Sequence, residues 1–66
     1  MKRIVQMIEA ERKRRGWSQE EMATRIGVSV TTYNRWVLGK HDPSPLAEQR
    51  LRDLLNRLKR EGKRRR

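Results

Sequence analysis

The residues of this chain that have the chemistry for a functional site are few, and their numbers exclude most kinds of site. There is no cysteine, and His41 is the one histidine. Neither a thiolate site nor a multi-histidine metal site can be built from that set. Glu20 and Glu21 are adjacent carboxylates, but acid–base work needs a cavity and convergent partners. Glu21 also has a simpler duty in a helix cap, so no enzymatic activity is expected. What remains suits nucleic acid. Thr31, Asn34 and Arg35 fall at i, i+3 and i+4 of a helix-compatible stretch, so they share one face. Short polar groups and an arginine are the side chains that bond base edges, the guanidinium forking onto guanine. No acidic residue lies one helical turn from Arg35, which leaves its charge unclaimed on its own helix.

The composition points the same way. The chain has 66 residues, 18 Lys and Arg against 8 Asp and Glu, a formal net charge of +10 and a hydrophobic fraction of 33%. One small domain is the most that fits, and a deep substrate cavity would consume its core. The charge sits at the ends. Residues 1–15 are net +4, residues 16–44 net zero, residues 45–58 net +1 and residues 59–66 net +5. Arg12-Lys13-Arg14-Arg15 closes the first basic segment, and Arg64-Arg65-Arg66 ends the last. Such a balance implies a polyanionic partner, most often nucleic acid. No apolar run is long enough for a membrane span or a signal peptide. The expected setting is the cytoplasm, with no membrane partner, no cofactor, no metal and no small-molecule ligand.

These side chains need a helical frame. Gly16, Gly27 and Gly39 each follow a helix-compatible stretch, Asp42-Pro43-Ser44-Pro45 marks a turn and a new start, and strand signals are absent. The first helix is expected over about 2–15, with Ile4, Val5 and Ile8 on one face, Met7 at its flank and Arg12 one turn further along that face. The second starts at Ser18 with an S-x-x-E capping box to Glu21 and turns Met22, Ala23 and Ile26 inward. The third starts at the cap Ser29, with Val30, Tyr33, Trp36 and Val37 inward and Thr31, Asn34, Arg35 and Leu38 outward. The fourth starts at Ser44-Pro45, carries the stripe Ala47, Leu51, Leu54, Leu55 and Leu58, and has Gly62 as its latest stop. Two short helices joined at Gly27-Val28 have the form of a helix-turn-helix. The domain is expected over 1–61, followed by a basic, disordered tail over 62–66, with fraying from about Leu58.

Gly16-Trp17-Ser18-Gln19-Glu20-Glu21-Met22-Ala23, Ile26-Gly27-Val28-Ser29, Thr32, Arg35-Trp36, Gly39 and Pro43 together resemble the Cro/C1-type helix-turn-helix family, also called the XRE or lambda-repressor-like family. The resemblance covers about residues 4–58. It implies an all-α fold of four or five helices and a sequence-specific transcriptional regulator of double-stranded DNA, usually a repressor. It further implies bacterial, phage or plasmid origin and a homodimer on a palindromic site. By position, Val30, Thr31, Asn34 and Arg35 match the residues facing base edges. Gln19 matches the phosphate-binding residue at the start of the second helix, and Lys40 and His41 match a loop that touches the backbone. Arg12 and Arg15, in the basic run, join the candidate phosphate contacts. Gly16, Ser18, Glu21, Gly27, Ser29 and Gly39 match turns and caps.

Two departures stand out. Many members pair the arginine at position 12 with a glutamate late in the third helix, where this chain has Val37, so Arg12 is expected to bond backbone carbonyls or to reach outward to phosphate, with Glu48 and Asp42 the first candidates should an acidic partner exist. The fourth helix is long where fuller family domains have two shorter ones. Trp17 and Trp36 read as core residues beside turns rather than as stacking platforms for bases, and the leucine stripe reads first as the closure of the core. The competing functions are a nonspecific or RNA-directed basic binder and an antitoxin-like autoregulator.

Overall fold

A helix ends where a residue can adopt the left-handed conformation and starts where a side-chain oxygen can take up the free amides. Those signals divide the computed structural model, which describes the backbone of residues 1–64 and the side chains of residues 1–61. Among the described residues there are four helices and no strand: α1 (Arg3–Arg15), α2 (Gln19–Ile26), α3 (Val30–Leu38) and α4 (Pro45–Arg64). Gly16, Gly27 and Gly39 all have positive φ, as the sequence leads one to expect. At Gly27 the requirement is double. Its φ is +97°, and a Cβ there would stand 3.1 Å from Arg50 Nη1 of α4. Any larger residue would strain the turn and meet that guanidinium.

Serine caps start three of the helices. Ser18 Oγ accepts from the Glu21 amide at 3.0 Å, Ser29 Oγ from the Thr32 amide at 3.1 Å and Ser44 Oγ from the Ala47 amide at 3.2 Å. The capping box expected at Ser18–Glu21 is only half formed. The Glu21 carboxylate instead meets Arg25 Nε at 2.9 Å, one turn further along α2. A cation at i+4 competes successfully with the single amide at the cap.

The core takes Val5 and Ile8 from α1, Met22, Ala23 and Ile26 from α2, Tyr33 and Trp36 from α3, and Leu51, Leu54, Leu55 and Leu58 from α4. Each helix buries the face that its 3.6-residue period defines. Ile4, Trp17, Val28, Val37 and Ala47 pack around the margin. Val30 departs from the expected inward set and is 39% exposed. It opens α3, where the first turn stands clear of the core. The helix α4 continues through Gly62 to Arg64, further than its expected stop. Leu58, past which fraying is expected, is itself buried, and its carbonyl accepts from Arg15 Nη2 at 3.1 Å. Arg65 and Arg66, part of the expected tail, lie outside the described residues.

Candidate nucleic-acid interface

The outward surface of α3 is built by subtraction. Tyr33 and Trp36 anchor its inner side, their rings edge-to-face at 6.3 Å and 72°. Thr31 and Arg35 are thereby exposed, Asn34 is half-buried, and Leu38 is 59% exposed. With Val30 these residues form one contiguous strip, so all four residues matched to base reading lie on the same side of α3. Among the described residues no carboxylate lies within ion-pair distance of Arg35 or Lys40, whereas Arg12, Arg14, Arg15, Arg25 and Arg52 each have an acidic partner. Arg35 is therefore exposed with no ion-pair partner among the described residues.

The helix α2 joins this surface through Gln19. Its side chain lies in the first turn, and its Oε1 accepts from Asn34 Nδ2 at 3.1 Å. A candidate phosphate contact and a candidate base contact are thus one hydrogen-bonded unit across the two helices of the motif. The α3–α4 loop comes back toward the same strip. Lys40 N and His41 N both donate to the Arg35 carbonyl, at 2.9 and 3.4 Å. His41 lines a shallow cleft with Thr32, Arg35, Trp36, Asp42 and Ser44. Lys40 and His41 are both exposed in the loop that follows α3.

Arg12 and Arg15 are in a different situation. Arg12 donates from Nε and Nη2 to the two oxygens of Glu9, at 2.9 and 2.7 Å, and from Nη1 to the Trp17 carbonyl at 2.7 Å. Its acid partner is Glu9, one turn back on α1, and not Glu48 or Asp42; Glu48 instead receives Lys2 Nζ at 2.7 Å. The Arg12 hydrogen bonds, with help from Tyr33, hold the Glu9 carboxyl below the usual carboxylate range against the opposing effect of burial. Arg15 meets Glu11 Oε1 at 3.2 Å as well as the Leu58 carbonyl. Arg12 and Arg15 thus direct part of their donors into the protein, and the N–H groups left over are what either could offer a phosphate.

Two further features escape a sequence reading. Trp17 is half-buried, with the Arg25 guanidinium 3.8 Å and the Arg15 guanidinium 5.2 Å from its ring centroid. Arginine rather than aliphatic core covers this indole. Arg50 lies against the Gly27 turn. The signal for Arg25 was its i+4 spacing from Glu21. For Arg50 the sequence carries none, because its position depends on how α4 crosses the motif. Glu20 is exposed, and no group of acidic and histidine side chains suited to a metal ion occurs among the described residues. Among those residues, too, no helix is long and apolar enough to cross a membrane.

A family model described as helix-turn-helix matches residues 8–60. No curated protein and no solved structure matches the chain significantly. The match spans α2, α3 and their turn together with most of α1 and α4, so this chain belongs to the Cro/C1-type helix-turn-helix (XRE) family of DNA-binding transcriptional regulators.

Proposed function

We propose that the protein is a sequence-specific repressor that lays α3 in the major groove of double-stranded DNA. Arg35 would bond a guanine, Thr31 and Asn34 would contact neighbouring base edges, and Val30 would meet a thymine methyl group. Gln19, with Lys40 and His41, would fix the register on the phosphates. We propose further that it acts in the cytoplasm as a homodimer on a palindromic site, and that residues 62–66 form a basic extension that adds phosphate attraction beyond the domain of residues 1–61.

The observation that carries this reading is Arg35 itself. It is exposed and has no ion-pair partner among the described residues, on the strip that also holds Thr31 and the Asn34–Gln19 pair. Other arginines, Arg3, Arg50 and Arg57 among them, also have no ion-pair partner among the described residues, so it is the place of Arg35 on the outer strip of α3, beside Thr31 and Asn34, that distinguishes it.

The experiment is selection of preferred sites from random duplexes, followed by Arg35→Ala measured on single-base variants of the selected site. The variant is expected to lose discrimination at one base pair by about 1–3 kcal/mol while general binding persists. A palindromic consensus supports the homodimer, and a single half-site refutes it. The absence of any consensus, with equal binding to RNA and DNA, would favour a charge-driven binder instead.

A further inference from the structure

Glu9 is the buried charged residue of the core, 7% exposed. It joins three parts of the fold. Its Oε1 accepts from the Tyr33 hydroxyl of α3 and from Arg12 Nε, its Oε2 accepts from Arg12 Nη2, and Arg12 passes its third donor to the Trp17 carbonyl just ahead of α2. Every buried polar atom in this cluster has a partner. Tyr33 is fully buried, so its hydroxyl has no contact with solvent or with the outer surface of α3.

Its neighbour Asn34 is bonded to Gln19 of α2. Consecutive residues point about 100° apart around a helix, so α3 is gripped from two directions, toward α1 by Tyr33 and toward α2 by Asn34. Apolar contacts at Trp36 and Val37 are non-directional and tolerate a small roll of the helix about its axis; two hydrogen bonds at different azimuths do not. At a side-chain radius of roughly 6 Å, a roll of about 10° moves a contacting atom by roughly 1 Å. A recognition geometry must be held within about 0.5 Å.

We propose that the Tyr33 hydroxyl, seated on Glu9 and Arg12, is a positioning group for base recognition. It sets the roll of α3 so that Thr31 and Arg35 meet the base edges in register, and it touches no DNA itself. The proposal rests on the reading of α3 as the base-contacting helix.

The test is Tyr33→Phe, which removes the hydroxyl and keeps the ring. Wild type and variant are titrated on the duplex selected by the wild type and on a random duplex of equal length, at one salt concentration and at a temperature where circular dichroism shows both folded. The ratio of specific to random affinity is expected to fall about tenfold, with random affinity changed less than about twofold. Leu58→Val, which trims the core at the far end of α4, serves as a control and is expected to leave the ratio unchanged.

A Tyr33→Phe protein that is less stable but equally discriminating overturns the proposal. So does an equal loss of discrimination in Leu58→Val, because general loosening would then be the cause. Failure of Tyr33→Phe to fold also overturns it, since the hydroxyl would then hold the fold and not the roll of one helix. A wild type with no preferred duplex refutes the reading of α3 and this proposal together, an outcome distinct from a discriminating wild type with an equally discriminating variant.

Discussion

Replacing Arg12 by methionine keeps an unbranched side chain and removes three hydrogen bonds, two of them to Glu9. Glu9 is then a buried carboxylate with the Tyr33 hydroxyl as its remaining donor. Breaking a buried ion pair from one side costs about 3–5 kcal/mol, because the other charge is left uncompensated. Here the side chains are 15% and 9% exposed, so some water reaches the stranded charge, and a cost at or just below the bottom of that range, about 2–3 kcal/mol, is expected. A core this small contributes on the order of 3–5 kcal/mol in total, so Arg12→Met should bring the protein close to its unfolding midpoint and lower Tm by roughly 10–20 °C. Urea unfolding followed by circular dichroism gives the value directly.

The pH dependence identifies Glu9 as the cause. In the wild type its pKa is held down, first by the Arg12 hydrogen bonds. The stabilisation is present above the unfolded-state carboxyl value of about 4.3 and is lost as pH falls through the lower folded value. In Arg12→Met, burial acts with no guanidinium to oppose it and pushes the carboxyl up, so the same protonation relieves the variant. The difference in stability between the two proteins should therefore begin to shrink above the unfolded-state value of about 4.3, where the variant's carboxyl takes up its proton, and continue to shrink as pH falls through the wild type's lower folded value. Adding Glu9→Gln to Arg12→Met removes the stranded charge and should restore more than half of the loss. A cost under about 1 kcal/mol at neutral pH, typical of an exposed pair, or one that does not change with pH, would refute this account of Arg12.

Two other outcomes follow from the interface and its basic extension. Gln19→Ala should weaken binding to every duplex and also blur the preference set by Asn34, because Gln19 Oε1 holds Asn34 Nδ2; a double-mutant cycle with Asn34→Ala should show a coupling of about 0.5–1 kcal/mol in DNA affinity, and additive effects would separate the two residues. Deleting residues 62–66 removes four cations and should lower the slope of log K against log salt by roughly one to four units on specific and random duplexes alike; an unchanged slope would exclude the extension from the DNA contact, and a changed base preference would mean that it enters a groove.

Much of the fold is legible in the sequence because its signals are local. The spacing of Leu51, Leu54, Leu55 and Leu58 defines a buried stripe without reference to any partner, and glycine after a helix-compatible run marks an end wherever the helix packs. The outward residues Thr31, Asn34 and Arg35 follow from the same periodicity. The less legible features depend on distance between segments. Glu9 was within reach as an i,i+3 partner of Arg12, but an arginine on an apolar face draws attention to acids on other helices, and the hydroxyl that shares the carboxylate comes from Tyr33, 24 residues away. Glu48 is taken by Lys2, 46 residues away. Val30 lies at the border between the inner residues and the outer strip, and at the first turn of α3 it stands clear, because phase gives direction and not depth. The cover of Trp17 by Arg15 and Arg25 could not be read from charge, since a guanidinium counts the same in a sequence whether it faces a phosphate or an indole.

That last ambiguity bears on how the charge of +10 acts. Arginine carries an apolar stem and a planar fork, so it can serve as interior cross-link and as anion contact with equal ease. In α1 the run from Arg12 to Arg15 divides between these duties. Arg12 and Arg15 turn to Glu9, Glu11 and backbone carbonyls, Arg14 shares Glu11, and Lys13 is exposed with no ion-pair partner among the described residues. Half of this basic run therefore ties α1 to the rest of the fold, Arg15 to α4 and Arg12 to the segment before α2, while Lys13 and Arg14 stay outward. The inward cations still contribute to the long-range field that draws DNA in, because their charge is not removed. Donors held inside the protein are expected to add little to counterion release. On the proposed reading, association rate and salt slope report different subsets of the cations, and the slope is expected to count those around Arg35, Lys40 and His41.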